Sequence, residues 1–383
     1  MRTANFLCLR IVHQVDRVLR SVLVLICLVF PAMGDASNIV EEIAEAIHHH
    51  HISRPPMEAA LSVPLERMNA YLRSLDPYSL YIPADEYQRR KQIEKEGYQG
   101  IGAELTRNDC GIVIIPYQGG PAYRAGIRER HYLSAVNGYT IDSMDLKEAA
   151  WLLTGAPGSR VNVRVSPFLG GRNREVIVVR EKFITPSVES ITESFGTYLR
   201  IRSFRERSTV SSLKSVIRQR QAQGFPVILD LRDAQGRDFH EALDAISLFI
   251  PEGQCIAKVV GGSGVERLFY SLPYQQLVFR KIIILVGPST ASAAEVFASA
   301  LRHYSRATLV GQKTYGKCTS QKIIELSDGS ALKLTNLKII YPSGEFCNGI
   351  GLTPDIEVSD EELYQTKKLI DRGDKQALPS VSP

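Results

Sequence analysis

The sequence predicts a multidomain α/β protein in which a helical segment and a β-rich segment precede an α/β core. Three observations lead to this fold class. Apolar residues at 3–4-residue spacing, such as Leu65, Met68 and Leu72, indicate helices between about residues 38 and 95. Short strands and glycine turns dominate residues 98–182. Beyond that, continuous apolar strands alternate with helices, which is typical of a buried, mostly parallel sheet.

The first 34 residues differ from the rest and predict a secretory signal. Four arginines among the first 20 residues precede the apolar run Val22–Phe30. That run is shorter than the roughly 20 residues that span a membrane. Small residues at 32–34 suit cleavage, so we expect export to the periplasm or cell envelope. The alternative is an uncleaved anchor that leaves the protein membrane-associated.

The helical segment, residues 35–96, contains four consecutive histidines, His48–His51. A helix would splay four consecutive side chains around its axis, so we interpret this run as solvated rather than as a metal site. No metal or cofactor is predicted. The net charge of +5 is small for 383 residues and no basic block stands out, which argues against a nucleic-acid partner.

Export would leave four cysteines outside the signal, and four thiols in an oxidising compartment allow three pairings. They could equally remain free as small buried apolar residues. The residues alone do not choose between these states. The four are Cys110, Cys255, Cys318 and Cys347.

The α/β segment holds a candidate nucleophile in "GPSTASAAEVF". A buried strand is predicted to end at Val286 and a helix to start after Ser292, and catalytic groups favour the carboxyl ends of such strands. Ser292 and Glu295 also form a capping-box pattern, so a purely capping role is the alternative. A serine nucleophile needs a base, because its hydroxyl is a weak acid at neutral pH.

Histidine is the usual base, but His303 lies about three helical turns from Ser292 and His131 lies in the β-rich segment. His240 stays open, without a motif to support it. Lys317 is the other candidate, and it must be desolvated to be neutral. Gln321 is four residues beyond it and could hold the amine by a hydrogen bond.

These segments resemble the carboxy-terminal processing peptidases of serine peptidase family S41. The resemblance rests on "STASAAEV", "SRATLVGQKTYGKCTSQ", "LSDGSALKLT" and "YPSGEFCNGIGLTPDIEV". It implies a ClpP/crotonase-like protease core with Ser292 as nucleophile, Lys317 as base and Gln321 as the partner that orients the lysine. A crotonase-type acyl-CoA enzyme would share a related core but would explain neither the β-rich segment nor the lysine and glutamine.

The resemblance also implies an oxyanion hole of backbone N–H groups. Ala293, at the helix N-terminus, would supply one donor. The second would come from the turn after "ILDLRD", where the family has N-x-P-G-G and this chain has "DAQGR"; Gly236 is the expected donor. Cys318 and Cys347 also depart from the family pattern, and a disulfide between them is conceivable.

The β-rich segment resembles a PDZ domain through "YQGIGAEL", "GGPAYRAGI" and "VNGYTI". The resemblance implies that backbone N–H groups in the Gly100–Gly102 loop, those of Ile101 and Gly102, bind a peptide C-terminus. A helix beginning at Leu146 would form the pocket's other wall. The alternative is that these are turn glycines and core leucines without a ligand.

The expected organisation is a signal peptide (1–34), a helical segment (35–96), a PDZ domain (97–182), a protease core (183–362) and a C-terminal helix with a polar tail (363–383). The expected function is a serine endopeptidase that cleaves proteins near their C-termini. Its partners would be substrates with exposed C-termini, and the resemblance allows an adaptor lipoprotein and a homo-oligomer. The alternative function is a non-catalytic PDZ scaffold on a degenerate protease core.

Overall fold

The computed structural model describes residues 33–96, 98–108, 110–128, 131–141, 144, 146–167, 171–183, 186–193, 196–218, 227–275, 277, 282–359 and 362. Contacts divide the chain into two compact units. The first unit combines residues up to 87 with residues 321–336, and the second combines residues 88–320 with residues from 337 onward. Each unit is described by itself.

The α-helices are numbered along the chain. They are α1 (Met33–His50), α2 (Met57–Leu61), α3 (Met68–Leu75), α4 (Ala84–Glu96), α5 (Pro121–Arg124), α6 (Leu146–Leu153), α7 (Thr209–Arg218), α8 (Phe239–Ile246) and α9 (Ala293–His303). The strands are β1 (Leu80–Ile82), β2 (Tyr98–Gly100), β3 (Ala103–Asn108), β4 (Gly111–Pro116), β5 (His131–Val136), β6 (Tyr139–Thr140), β7 (Arg160–Ser166), β8 (Arg174–Val179), β9 (Glu181–Phe183), β10 (Val188–Glu193), β11 (Gly196–Ile201), β12 (Val227–Asp230), β13 (Cys255–Gly261), β14 (Glu266–Tyr270), β15 (Ile282–Val286), β16 (Ala307–Gly311), β17 (Thr319–Glu325), β18 (Ala331–Ile340) and β19 (Ile356–Glu357).

The α/β core in the second unit is built on a sheet of order β10-β11-β12-β15-β16-β19. Within this sheet the neighbouring strands run parallel, except that β10 is antiparallel to β11. The parallel strands are β11, β12, β15, β16 and β19. Neighbouring residues of one strand face opposite sides of the sheet: Leu229 joins the large core, while Ile228 joins a smaller cluster. Both faces are therefore covered, which explains the continuous apolar strands and confirms the predicted α/β fold class.

The β-rich segment, residues 98–183, forms an antiparallel sheet of order β3-β4-β5-β7-β8. Its core includes Ile101, Ile114 and Val163, each fully buried. Helix α6 packs beside β3, which is an edge strand of this sheet. The helix therefore lies beside an edge strand, which is the arrangement that the sequence analysis expects of this domain.

The first unit contains a buried polar network that corrects the interpretation of the histidine run as solvated at its last residue only, since His49 and His50 are exposed. His51 is 1% exposed. Its Nδ1 accepts the N–H of Ser53, so Nε2 carries the proton that is donated to Asp76 Oδ2 at 2.8 Å. Asp76 also accepts the hydroxyls of Ser79 and Thr335, at 2.5 and 2.7 Å. The last histidine of the run is therefore a structural residue, because its polar groups are satisfied inside the unit.

Two predicted segments lie outside the described residues: the signal up to residue 32, with its apolar run, and the C-terminal helix with its polar tail, residues 363–383. Among the residues that the structure describes, none of the helices combines the length and hydropathy needed to cross a membrane.

Candidate functional site

Three loops meet at the start of α9. We call them the glycine turn (residues 231–237), the serine loop (residues 287–292) and the lysine loop (residues 312–318). They follow β12, β15 and β16, which are adjacent parallel strands. The carboxyl ends of such strands are where α/β proteins usually place their functional groups, so this edge of the sheet is the candidate site.

Ser292 occupies a strained backbone position at the end of the serine loop. Its φ and ψ are 59° and −123°, and the next residue, Ala293, begins α9. Non-glycine residues seldom adopt positive φ, and those that do cluster at functional sites. The glutamate half of the predicted capping box is present, because the Ser292 N–H donates to Glu295 Oε2 at 2.8 Å.

Thr290 and Ala291 fix the serine loop against the glycine turn. The buried Thr290 hydroxyl donates to the carbonyl of Leu231 at 2.8 Å and accepts the N–H of Gly287 at 2.9 Å. The N–H of Ala291 donates to the carbonyl of Ala234 at 2.9 Å. Thr290, one of the three hydroxyl residues in "PSTAS", therefore has a structural role.

Gly236 lies directly against the serine loop. Its φ is +83°, and a Cβ atom there would lie 2.7 Å from the Ala293 nitrogen and 3.1 Å from Ser292 Cβ. Only glycine fits such an approach without displacing backbone. Within the described part of the chain, the N–H groups of Gly236 and Ala293 donate to no protein acceptor. The two predicted oxyanion donors are thus brought together beside Ser292 with their hydrogen-bonding capacity unused.

Glu295 connects the serine loop to the lysine loop. It is fully buried, and its Oε2 accepts the N–H of Ser292 and the N–H of Lys317, each at 2.8 Å. The two nitrogens therefore lie no further apart than twice 2.8 Å, about 5.6 Å. Oε1 accepts the Gly316 N–H at 2.8 Å and the Thr314 hydroxyl at 2.5 Å. Sequence reasoning saw Glu295 as a capping and motif residue and missed this bracing role.

A disulfide secures the lysine loop from its other end. Cys318 and Cys347 are bonded, with 5.5 Å between their Cα atoms, and both are buried. The N–H of Gly349 donates to the carbonyl of Gly316 at 2.8 Å. Lys317, between these fixed points, is half-buried. The disulfide considered from the sequence is confirmed, while Cys255 is a free thiol.

Glutamine 321 lies in the first unit, at the start of its second segment. Its Nε2 donates to Thr335 Oγ1 at 3.3 Å, and that hydroxyl donates to Asp76 Oδ1 at 2.7 Å. The side-chain amide of Gln321 is therefore oriented by the same hydrogen-bond network that contains His51 and Asp76.

The histidines weighed as bases have other surroundings. His131 Nδ1 accepts the N–H of Arg128 at 2.9 Å, within the β-rich segment. His303 is the last residue of α9. The His240 ring packs edge-on against Phe239 and Phe269, and within the described residues it makes no side-chain hydrogen bond. No group of three or more histidine, cysteine or acidic residues in the described part of the chain could hold a metal ion.

Three of the four predicted peptide-binding residues lie at the end of β2, and the fourth lies on α6. Gly100 ends that strand, and the Ile101 side chain is buried in the domain core. Gly102 has φ +65°, and a Cβ there would lie 2.7 Å from Pro121 Cδ. Leu146 begins α6 and packs on the same core. The loop and the helix therefore both lie next to β3, and the side chains of Ile101 and Leu146 pack on the domain core.

Comparisons with known proteins agree with this architecture. The family model described as peptidase family S41 matches residues 196–358, and one described as PDZ domain matches residues 115–166. The chain is 30% identical over 341 residues to the "Probable CtpA-like serine protease" of Staphylococcus aureus strain COL, covering 88% of this chain and 68% of that protein. Its Staphylococcus epidermidis counterpart is 32% identical over 298 residues, with 77% and 60% covered. The chain thus spans about two thirds, or less, of these relatives.

Solved structures share the fold. The photosystem II D1 C-terminal processing protease superposes with a TM-score of 0.68 at 22% identity, covering 91% of this chain and 99% of that one. A Bacteroides fragilis NCTC 9343 protein assigned to the S41 proteases gives 0.63 at 16% identity, covering 91% and 96%. At these identities the similarity extends to the fold alone.

Proposed function

Since the chain belongs to peptidase family S41 and carries a PDZ domain, we propose that it is an exported serine endopeptidase that cleaves proteins near their C-termini. Ser292 would be the nucleophile and Lys317 the general base. The observation that carries the proposal is the shared carboxylate oxygen of Glu295, which keeps the backbone nitrogens of these two residues within about 5.6 Å, twice 2.8 Å.

In the proposed mechanism, the neutral Lys317 amine takes the proton of the Ser292 hydroxyl as its oxygen attacks the substrate carbonyl carbon. The carbonyl oxygen becomes an oxyanion, held by the N–H groups of Gly236 and Ala293, and each such donor is typically worth about 10²–10³ in rate. The protonated Lys317 then gives its proton to the leaving amine. Water hydrolyses the remaining ester on Ser292 by the same proton transfers.

The PDZ domain is proposed to hold the substrate's C-terminus. An extended peptide would add to the open edge of β3, with its terminal carboxylate at the N–H groups of Ile101 and Gly102. Support comes from those two groups, which donate to no acceptor in the described residues, and from the packing of α6 beside β3. An adaptor lipoprotein and self-association remain part of this proposal.

Labelling with a serine-reactive phosphonate tests the nucleophile. We expect mass spectrometry to find the adduct on Ser292, and Ser292→Ala to abolish both labelling and degradation of an unfolded substrate with an apolar C-terminus. Lys317→Ala should abolish turnover as well. Ser289→Ala and Lys313→Ala, which remove a neighbouring hydroxyl and a neighbouring amine, are the matched controls and should stay active.

Turnover by Ser292→Ala or Lys317→Ala protein would contradict the dyad. A protein that binds peptides without labelling or cleavage would instead favour the non-catalytic scaffold, for which the altered "DAQGR" turn is the specific sequence argument.

A further inference from the structure

A cleft of about 1760 Å³ lies between the PDZ domain and the protease core, within the second unit. Glu104, Tyr117 and Lys182 line it from the PDZ side, and Gln235 and Arg237 line it from the core side. The last two flank Gly236, so the cleft reaches the candidate oxyanion donors at the glycine turn. Its volume exceeds that of ordinary small-molecule pockets, about 300–1,000 Å³, and suits a peptide.

The acidic residues that line the cleft already have partners. Asp238 caps α8 by accepting the N–H groups of residues 240 and 241, at 2.8 and 3.1 Å. Glu104 accepts the Tyr117 hydroxyl at 2.5 Å and lies 3.6 Å from the Arg202 guanidinium. Glu206 pairs with Arg207 at 3.4 Å. The carboxylates of the cleft are therefore engaged before any substrate arrives.

Three exposed cations in the lining differ in this respect: Lys182, Arg237 and Arg267. None of them forms an ion pair with any residue that the structure describes. Unpaired charges of one sign concentrate the electrostatic potential inside a cleft, and this potential attracts ligands of the opposite charge. The complementary ligand is an anion, and the anionic group of a peptide is a carboxylate.

Arg237 is the residue best placed to use that field. It follows Gly236 and has φ 97°, a conformation in which glycine would be unstrained. Residues held in such strained positions point to a function. The Phe204 N–H donates to the carbonyl of Gly236 at 2.8 Å, and the Asp238 N–H donates to the carbonyl of Phe204 at 3.0 Å. These two hydrogen bonds place Arg205, the residue after Phe204, next to Arg237. Burial, and then the charge of Arg237, lower the pKa of Arg205. A bound carboxylate would relieve this repulsion.

We propose that Arg237 is a specificity-determining residue that binds a substrate carboxylate beside the scissile bond. The carboxylate can come from an aspartate or glutamate side chain or from the peptide's own C-terminus, since both present the same group to a guanidinium. This inference rests on the proposed peptidase function, because it assigns the cleft to that enzyme's substrate.

Binding to full-length Ser292→Ala protein tests the inference without requiring turnover. The probes are fluorescent peptides of three kinds, all based on one sequence: a C-terminal amide with glutamine, the same amide with one glutamate, and the glutamine peptide with a free C-terminus. The glutamate is moved over three positions on each side of the intended cleavage point. We expect at least one carboxylate peptide to bind about tenfold more tightly than the neutral amide, as hydrogen bonds to a charged partner allow.

Arg237→Gly in the Ser292→Ala background should bring this ratio to within about twofold, and Arg237→Lys should keep part of it. Arg54→Gly is the matched control, because Arg54 is also an exposed arginine at positive φ, 46°, but does not line the cleft. It should leave the ratio unchanged. Raising the salt concentration should lower the ratio in the Arg237-containing protein.

The inference would be overturned if all the peptides bound equally, or if carboxylate peptides still bound more tightly than the neutral amide after Arg237→Gly. In the second case the PDZ loop, and not Arg237, would bind the terminal carboxylate. Failure of the peptidase proposal looks different. Phosphonate would then not label Ser292, while the effect of Arg237→Gly on binding could still be measured.

Discussion

The Oε2 atom of Glu295 lies 2.8 Å from the backbone nitrogen of Lys317, across 22 residues of sequence. The same oxygen lies 2.8 Å from the nitrogen of Ser292, so one buried carboxylate sets the spacing of both loops. A carboxylate suits this role because it only accepts hydrogen bonds and has two oxygens to offer.

Replacing Glu295 by glutamine should therefore damage both stability and activity. The NH₂ group of the glutamine side chain would face donors that now bond to a carboxylate oxygen. These buried donors would lose their acceptor, which costs about 1–3 kcal/mol of stability for each one. We expect a loss of about 2–4 kcal/mol in the free energy of unfolding, measured in urea, and at least a tenfold loss of turnover. Glu252→Gln, at an exposed position, is the control. An unchanged midpoint for Glu295→Gln would show that the bracing is dispensable.

Gly236→Ala should lower kcat by about 10²–10³ with a smaller effect on KM, because the added Cβ would press on the Ala293 nitrogen at 2.7 Å and disturb both proposed oxyanion donors. Steady-state kinetics on a peptide substrate measure the two constants. Gly253→Ala is a matched control, since Gly253 has φ +79° and open space around it. If both variants lose activity equally, backbone strain explains the loss and the oxyanion assignment fails.

The Cys318–Cys347 disulfide should stabilise the lysine loop. It closes a loop of 29 residues, for which chain entropy gives about 3–4 kcal/mol. We expect a lower melting temperature and lower turnover in Cys347→Ser protein and after reduction. Thiol labelling of unfolded, unreduced protein should modify Cys255 and spare the bonded pair. Labelling of Cys318 without reductant would contradict the bond.

Asp76 should make stability depend on pH. Burial alone would raise its pKa, but hydrogen bonds from His51, Ser79, Thr335 and a backbone N–H hold the pKa well below its ordinary value. A carboxyl whose pKa falls on folding contributes stability that is complete above its unfolded pKa, about 3.9, and is lost as the pH falls below that value.

Urea unfolding of wild-type and Asp76→Asn protein between pH 3 and 7 measures this effect. The difference in unfolding free energy should be largest near neutral pH and shrink toward pH 3. Asp328→Asn, an exposed change of the same kind in the same unit, is the control for the substitution itself. If the difference in unfolding free energy for Asp76→Asn stayed constant between pH 3 and 7, the ionisation of Asp76 would not be the source of its contribution to stability.

The α/β core could be predicted because its strands are apolar on both faces and its helices have regular spacing, so local pattern and tertiary environment agree. The β-rich domain followed from its strand and turn pattern in the same way. His51 was misjudged because a histidine's burial depends on a partner 25 residues away, Asp76, that no local pattern reveals. Arg237 was noticed only as a departure from the family pattern, and its position in the cleft required the fold.

The sequence by itself determined which residue types were available: a serine at a strand-to-helix turn, a lysine before the next strand, glycines where the chain must turn tightly. These depend on local geometry, which neighbouring residues dictate. The tertiary structure alone decided which of them meet. The buried Glu295 joins the serine and lysine loops, and the glycine turn presses against Ala293, because adjacent parallel strands bring distant loops to one edge of the sheet.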